Sequence, residues 1–338
     1  MLKIVFMGSD AIALPALNWL THSTGSGQVG SGHADVVAVF TQPDRAAGRG
    51  QKVQANAIKL WAEAKGLPVH QPAKFGAADQ QALAALQPDL TLVMAYGHIL
   101  KQDVIDTPQL GTINLHTSIL PKYRGASPIQ TATACGETTT GVTLMKMVLA
   151  LDAGPVGDLE WVMIEPLDTA AEVEAKLAQA CVPLLQRAIP LLAKGALQFA
   201  PQDEAAVTFC RRLEKTDGVL DFTAPATALA ARINGLNPWP GCSVEINGQP
   251  VKLGLADVCS LIDYQPAGAG TVIGSDAAGL LVGTGEGVLR LRKLQRPGGK
   301  LLPAGEFLRG FPVAAGTALT SRPMPALVAR QAFPYRKG

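Results

Sequence analysis

Chemistry on a carbonyl group needs a proton-transferring side chain and a charge-stabilising donor at one point, and few segments of this sequence offer both. Of its five histidines, His116 has the most unusual setting, Thr112-Ile113-Asn114-Leu115-His116-Thr117-Ser118-Ile119-Leu120-Pro121. Asn114 and His116 alternate with apolar Ile113 and Leu115, so on a strand the amide and the imidazole project from the same face. Acyl transfer to an amine requires a proton shuttle working near neutrality and a donor aimed at the oxyanion of the tetrahedral intermediate. His116 and Asn114 could supply the two. On spacing alone they could equally satisfy backbone groups at a strand end. Asp152 follows an apolar run and precedes Ala153-Gly154, the setting of a turn. There it could hydrogen-bond a histidine and fix its tautomer, or simply cap its own turn.

A third cluster is the segment from Thr41 to Lys52, where Arg45, Arg49 and Lys52 stand among a proline and two glycines. Such a loop suits phosphate and sugar contacts, with a solvated surface loop as the alternative. Gly8-Ser9-Asp10 lacks the GxGxxG spacing, so a dinucleotide site is not expected. The five cysteines are far apart, with no CxxC pair, which argues against a zinc site or a disulfide framework. No metal is expected, and a reducing cytoplasm is the compartment that fits.

These residues need a scaffold. Apolar runs suited to buried parallel strands occur at Leu2–Met7, Asp35–Thr41, Leu90–Ala95 and Thr112–Leu115, with helical patterns at Asn56–Lys65 and Asp79–Leu86 between them. The alternation predicts βαβ units and a twisted α/β sheet, which binds ligands at the carboxyl ends of its strands. Asn114 falls there. The Gly- and Ser-rich stretch Thr21–Asp35 reads as a loop, and the helical pattern from Thr169 to Lys194 is expected to be interrupted at Pro183 and Pro190. Beyond Cys210 the texture changes to short β runs at Ser243–Ile246, Val251–Leu255, Thr271–Ile273, Leu280–Val282 and Val288–Leu294, broken by one helix over Ala224–Asn234. This predicts a small β-barrel of the five-stranded oligonucleotide-binding kind.

The chain has 338 residues, 48% hydrophobic and 17% charged, which fits two globular domains and excludes a disordered chain. We expect a domain over residues 1–200, a linker over 201–213 and a second domain over 214–338. No apolar stretch is long enough for a membrane span. Net charge is +2, yet residues 209–338 carry 15 Lys and Arg against 9 Asp and Glu, so the second half is the basic one. That asymmetry points to a polyanionic partner for the second domain. No self-complementary stripe is visible, so a monomer is expected.

With these segments in view, the chain resembles the methionyl-tRNA formyltransferase family almost from end to end. The resemblance is carried, in the family's order, by Val39-Phe40-Thr41-Gln42-Pro43-Asp44-Arg45 with Ala47-Gly48-Arg49-Gly50, Ala95-Tyr96-Gly97, Ile113-Asn114-Leu115-His116, Ser118-Ile119-Leu120-Pro121 with Tyr123-Arg124-Gly125-Ala126, Thr140-Gly141-Val142-Thr143, and Leu151-Asp152-Ala153-Gly154. The Asn-x-His, Ser-x-Leu-Pro and Asp-Ala-Gly elements are shared with other folate-dependent formyltransferases. The Gln42–Gly50 loop and Ile233-Asn234-Gly235-Leu236-Asn237-Pro238-Trp239-Pro240 resemble the tRNA-directed branch.

The resemblance implies a Rossmann-like formyltransferase domain followed by an OB-like domain that binds tRNA. It implies 10-formyltetrahydrofolate as co-substrate, methionyl initiator tRNA as acceptor, and Asn114, His116 and Asp152 as the catalytic trio. Ser118, Ile119, Leu120 and Pro121 would contact the folate, and Arg45, Arg49 and Lys52 would meet the acceptor end of the tRNA. Thr117, Pro155 and Gly8-Ser9-Asp10 depart from the family's usual residues, and β-branched Thr117 puts the folate turn in question. His98 replaces a usually apolar residue and is read as incidental. A formyltransferase for a small amine would explain the trio but not the Arg49 loop. A non-catalytic RNA-binding protein would leave the intact trio unexplained.

Overall fold

The computed structural model describes residues 1–21, 32, 34–47, 50, 52–259 and 268–334. Arg49 and most of the Thr21–Asp35 stretch lie outside the described residues. Two compact units are present, the first made of Met1–Arg124, Gly141–Val162 and Ala175–Val207, the second of Gly125–Thr140, Met163–Glu174 and Thr208–Gly338.

The first unit is built on a seven-stranded sheet in the order Val156–Met163, Thr139–Lys146, Thr112–His116, Leu90–Met94, Leu2–Gly8, Ala34–Phe40, Val69–His70. Five strands, from Thr112–His116 to Val69–His70, run parallel. Their central members are buried on both faces: Ile4, Val5, Phe6 and Met7 are all fully enclosed, and so is Leu92. That two-sided burial is why they read as unbroken apolar runs. Thr139–Lys146 runs antiparallel to Thr112–His116, with His116 opposite Thr143 and Asn114 opposite Met145. Among the helices, Ala57–Ala64 starts at Asn56, whose side-chain oxygen accepts from the backbone of Ile58 and Lys59.

Pro183 and Pro190 do not interrupt the long helix, which runs unbroken over Ala170–Ala193. Each proline removes one backbone donor. Burial of Leu177, Cys181, Leu184, Leu185, Ala188, Ile189 and Leu192 along one face outweighs the loss.

The second unit is an antiparallel β domain, with Cys242–Ile246, Gln249–Cys259, Val288–Gln295, Leu280–Gly283 and Val272–Ser275 as successive neighbours. Its first hairpin turns on Asn247-Gly248, both in the left-handed region (φ 50° and 74°), the conformation a two-residue hairpin asks for. The helix Ala226–Gly235 covers one face and packs Leu229, Ile233 and Leu236 with Phe222, Val244, Leu253 and Leu291. Asn234 locks it to the sheet: its amide accepts from the Ala256 N–H and donates to the Ala256 carbonyl, each at 2.9 Å. Part of the positive excess is consumed internally. Arg290 and Arg292 both pair with Asp257, at 2.7 and 2.6 Å, and Arg290 also reaches Asp276 at 3.0 Å. Lys293, Arg296, Lys300 and Arg309 remain exposed.

Candidate active site

The strand Thr112–His116 ends with its last side chain almost enclosed, His116 being 6% exposed. Nε2 lies 3.0 Å from the carbonyl oxygen of Tyr123, which can only accept, so Nε2 carries a hydrogen. Nδ1 faces the Asp152 carboxylate, with Oδ2 at 3.7 Å. An imidazolium here would find an acceptor on each side. Asn114 lies two residues earlier on the same face and is half-buried. Among the described residues no side chain or backbone group takes up its amide, so its donors remain available.

Two turns complete the surroundings of the histidine. In the first, Ser118 is fully buried, and its hydroxyl donates to the Lys122 carbonyl at 2.7 Å. Thr143 braces the same turn from the antiparallel strand, donating to the Ser118 carbonyl at 2.7 Å and accepting from the Leu120 N–H at 3.1 Å. Leu120 is buried, while Ile119 and Pro121 are half-buried. Thr117 does not take a left-handed backbone: among the described residues the positive φ angles of non-glycine residues fall at Gln87, Ala95, Tyr123, Asp152 and Asn247.

In the second turn, Asp152 itself has φ 49°. A Cβ on Gly154 would stand 1.8 Å from the Lys146 carbonyl oxygen, so only glycine lets the turn lie this close to the neighbouring strand. The side-chain amide of Gln202 donates to the carbonyls of Asp152 and Gly154, each at 2.8 Å. Its oxygen accepts from the guanidinium of Arg124 at 3.0 and 2.9 Å. Sequence reasoning missed Gln202 altogether, and it named Arg124 only within a motif. Nothing in the local pattern links residues 78 positions apart.

The strand Leu90–Met94 runs into Ala95, also left-handed (φ 49°), and then Tyr96. Among the described residues the buried Tyr96 hydroxyl has no hydrogen-bond partner, and burial together with the Asp79 charge holds it above the usual phenol range, so it stays neutral. His98 meets the Tyr96 ring edge-on and faces the Pro72 carbonyl at 3.2 Å. That contact accounts for it structurally. Ile99, Leu149 and Leu151, on loops of the same unit, leave apolar side chains exposed.

Arg45 and Lys52 stand on the two strands of a short antiparallel pair, Arg45–Ala47 with Lys52–Gln54, where Arg45 lies opposite Gln54 and Lys52 opposite Ala47, and both are exposed. The base of the hairpin is tied down by polar contacts. Arg45 donates to the Gln42 side chain at 2.6 Å, whose own amide donates to the Tyr96 carbonyl at 3.0 Å. Asp44 is held below the usual carboxylate range by hydrogen bonds from Gln71 and Lys59. Among the described residues, no group of three or more His, Cys, Asp and Glu is placed to hold a metal ion, and no helix is long and apolar enough to cross a membrane.

A histidine held between a carbonyl and a carboxylate, with an available amide beside it, can manage a proton and an oxyanion together. Comparison with known proteins gives this arrangement a lineage. The family model described as Formyl transferase matches residues 2–189, and the one described as Formyl transferase, C-terminal domain, matches residues 212–312. The chain is 43% identical over 303 residues to the methionyl-tRNA formyltransferase of Ectopseudomonas mendocina, covering 89% of this chain and 92% of that one. It is 38% identical over 332 residues to the enzyme of the same name from Acidovorax ebreus, covering 95% of this chain and all (100%) of that one. Among solved structures, an N-formyltransferase from Helicobacter canadensis, in complex with folinic acid and dTDP-3-aminofucose, shares the fold at a TM-score of 0.64 and 17% identity, covering 86% of this chain and 99% of that one. At such identity and coverage of its sequence relatives, the chain belongs to the methionyl-tRNA formyltransferase family.

Proposed function

We propose that the protein transfers the formyl group of 10-formyltetrahydrofolate to the α-amine of methionyl initiator tRNA, with Asn114, His116 and Asp152 as its working trio. The observation that carries this reading is the setting of His116, between the Tyr123 carbonyl and the Asp152 carboxylate and two residues from an available asparagine amide. The amine attacks the formyl carbon, and the carbonyl oxygen becomes an oxyanion that the Asn114 amide and protonated His116 stabilise. Asp152 holds the imidazolium. The bond from the formyl carbon to the folate nitrogen then breaks; the attacking amine gives up one proton and the folate nitrogen takes one up, so tetrahydrofolate leaves with no net proton gained or lost.

The folate would lie against Ser118, Ile119, Leu120 and Pro121. Exposed Ile99, Leu149 and Leu151 supply apolar surface of the kind a flat heterocycle covers. Arg45, Arg49 and Lys52 would meet the acceptor end of the tRNA, and the exposed cations of the antiparallel domain would meet its backbone. In this reading residues 1–200 form the catalytic domain, 201–213 the linker and 214–338 the tRNA-binding domain, and the protein works as a monomer in the cytoplasm.

The deciding experiment incubates the protein with 10-formyltetrahydrofolate and charged initiator tRNA, with uncharged and elongator tRNAs as controls. Formylation confined to the charged initiator is expected; turnover of a free amino sugar or purine precursor without tRNA would overturn the acceptor assignment. Arg49→Ala is expected to weaken formylation of charged tRNA while leaving folate binding intact, as measured by parallel kinetics and folate titration. An equal loss in both would remove the loop from the tRNA contact.

A further inference from the structure

We infer that Gln202 and Arg124 are positioning residues for this reaction, holding the two partners of His116 in one connected frame. The inference rests on the reading of His116 and Asp152 given above. A guanidinium can only donate, and Arg124, 4% exposed, directs Nε and Nη2 at the Gln202 oxygen at 3.0 and 2.9 Å. That contact fixes which end of the amide is which, so Nε2 of Gln202 must point the other way, toward the carbonyls of Asp152 and Gly154 at 2.8 Å each. One amide therefore meets a donor-only group on one side and two acceptor-only groups on the other. Glutamate would set an acceptor against both carbonyls, and an apolar side chain would take this donor from both carbonyls and this acceptor from Arg124.

The frame closes through the backbone. Arg124 follows Tyr123, whose carbonyl faces Nε2 of His116 at 3.0 Å and whose own backbone is left-handed (φ 63°). Asp152, facing Nδ1, is left-handed as well. A continuous path thus runs from one ring nitrogen through Tyr123, Arg124 and Gln202 to the carboxylate at the other. The second contact of Arg124, Glu204 at 2.9 Å, is 75% exposed and adds little to the frame. Burying a guanidinium chiefly to orient one amide is a poor way to gain stability but a direct way to fix geometry.

The test compares the full-length protein with Gln202→Met, which keeps the volume, and Gln202→Glu, which keeps the partner Arg124. Both are made also in an Asp152→Asn background, and folding is checked by thermal unfolding. We expect each single variant to lower kcat by about ten- to a hundredfold, the scale set by small misplacements of reacting groups. KM for folate and for tRNA should stay within about twofold, and the pH dependence of kcat should shift. In the Asp152→Asn background the same substitutions should add little, because the residue they position is already disabled. An unchanged kcat and pH profile, a loss confined to KM, or a fully additive loss would overturn the inference. If Gln202→Met fails to fold, Gln202→Glu carries the same expectation alone. Full turnover by Asp152→Asn would instead overturn the underlying reading of the trio.

Discussion

The left-handed backbone residues of the two units make an instructive pair. In the antiparallel domain, the hairpin turns on Asn247-Gly248, residues that adopt positive φ at little cost and lie side by side in sequence. In the α/β unit, the equivalent conformations of described non-glycine residues fall on Gln87, Ala95, Tyr123 and Asp152, the last two of which hold the partners of His116. Strain of this kind costs about 1–3 kcal/mol at each residue and persists only where surrounding contacts over-determine it. Here the contacts come from far along the chain: Gln202 on the Asp152 turn, and Thr143 on the neighbouring turn of Ser118. One unit bends where its local chemistry already favours bending; the other bends where distant side chains oblige it to. The residues we propose to act on the substrate belong to the second kind.

The comparison can be broken by changes that should fall on one side only. The largest effect on stability is expected at Phe222, wholly enclosed in the antiparallel domain, where Phe222→Ala should cost about 3–5 kcal/mol in denaturant unfolding. On the other side, His116→Ala should remove about 3 kcal/mol of transition-state stabilisation, roughly a hundredfold in single-turnover formylation. Near-full turnover would take the α/β unit's strained site out of the chemistry. Thr143→Val is the intermediate case. It preserves shape but strips partners from the Ser118 carbonyl and the Leu120 N–H, at about 1–3 kcal/mol in stability. A neutral result would mean that the turn keeps its shape without help from the next strand.

The mildest change is with pH. Burial works against the Asp257 carboxylate, but hydrogen bonds from Arg290 and Arg292 outweigh it, leaving its pKa below the ordinary value. A depressed folded-state pKa gives stability that is present above the unfolded value of about 3.9 and is lost as pH falls through the folded value. The melting temperature should therefore hold steady near neutrality and decline below about pH 4, with Asp257→Asn flattening part of that decline.

What could be read in advance follows the same division. The period-two spacing of Asn114 and His116, the apolar runs of the buried strands and the short β runs of the antiparallel sheet are local, and each matches its observed element within a few residues. The antiparallel course of Thr139–Lys146 and the unbroken helix through Pro183 and Pro190 were not legible, because neighbours in space decide both. The basic balance of the second half was legible as a count, but not that Arg290 and Arg292 spend their charge on Asp257. Thr143 and Gln202 were invisible for a related reason: a hydroxyl or an amide announces no partner 25 or 50 residues away.

The placement of Gln202 also sets an order in time. A chain leaving the ribosome presents its N-terminal segments first. All seven strands of the large sheet are complete by Met163, yet the amide that grips the Asp152 turn is joined only after the helix Ala170–Ala193 has been made. A nascent chain thus holds every strand of its sheet, with His116 and Asp152 already in sequence, before it holds the side chain that draws their turn tight.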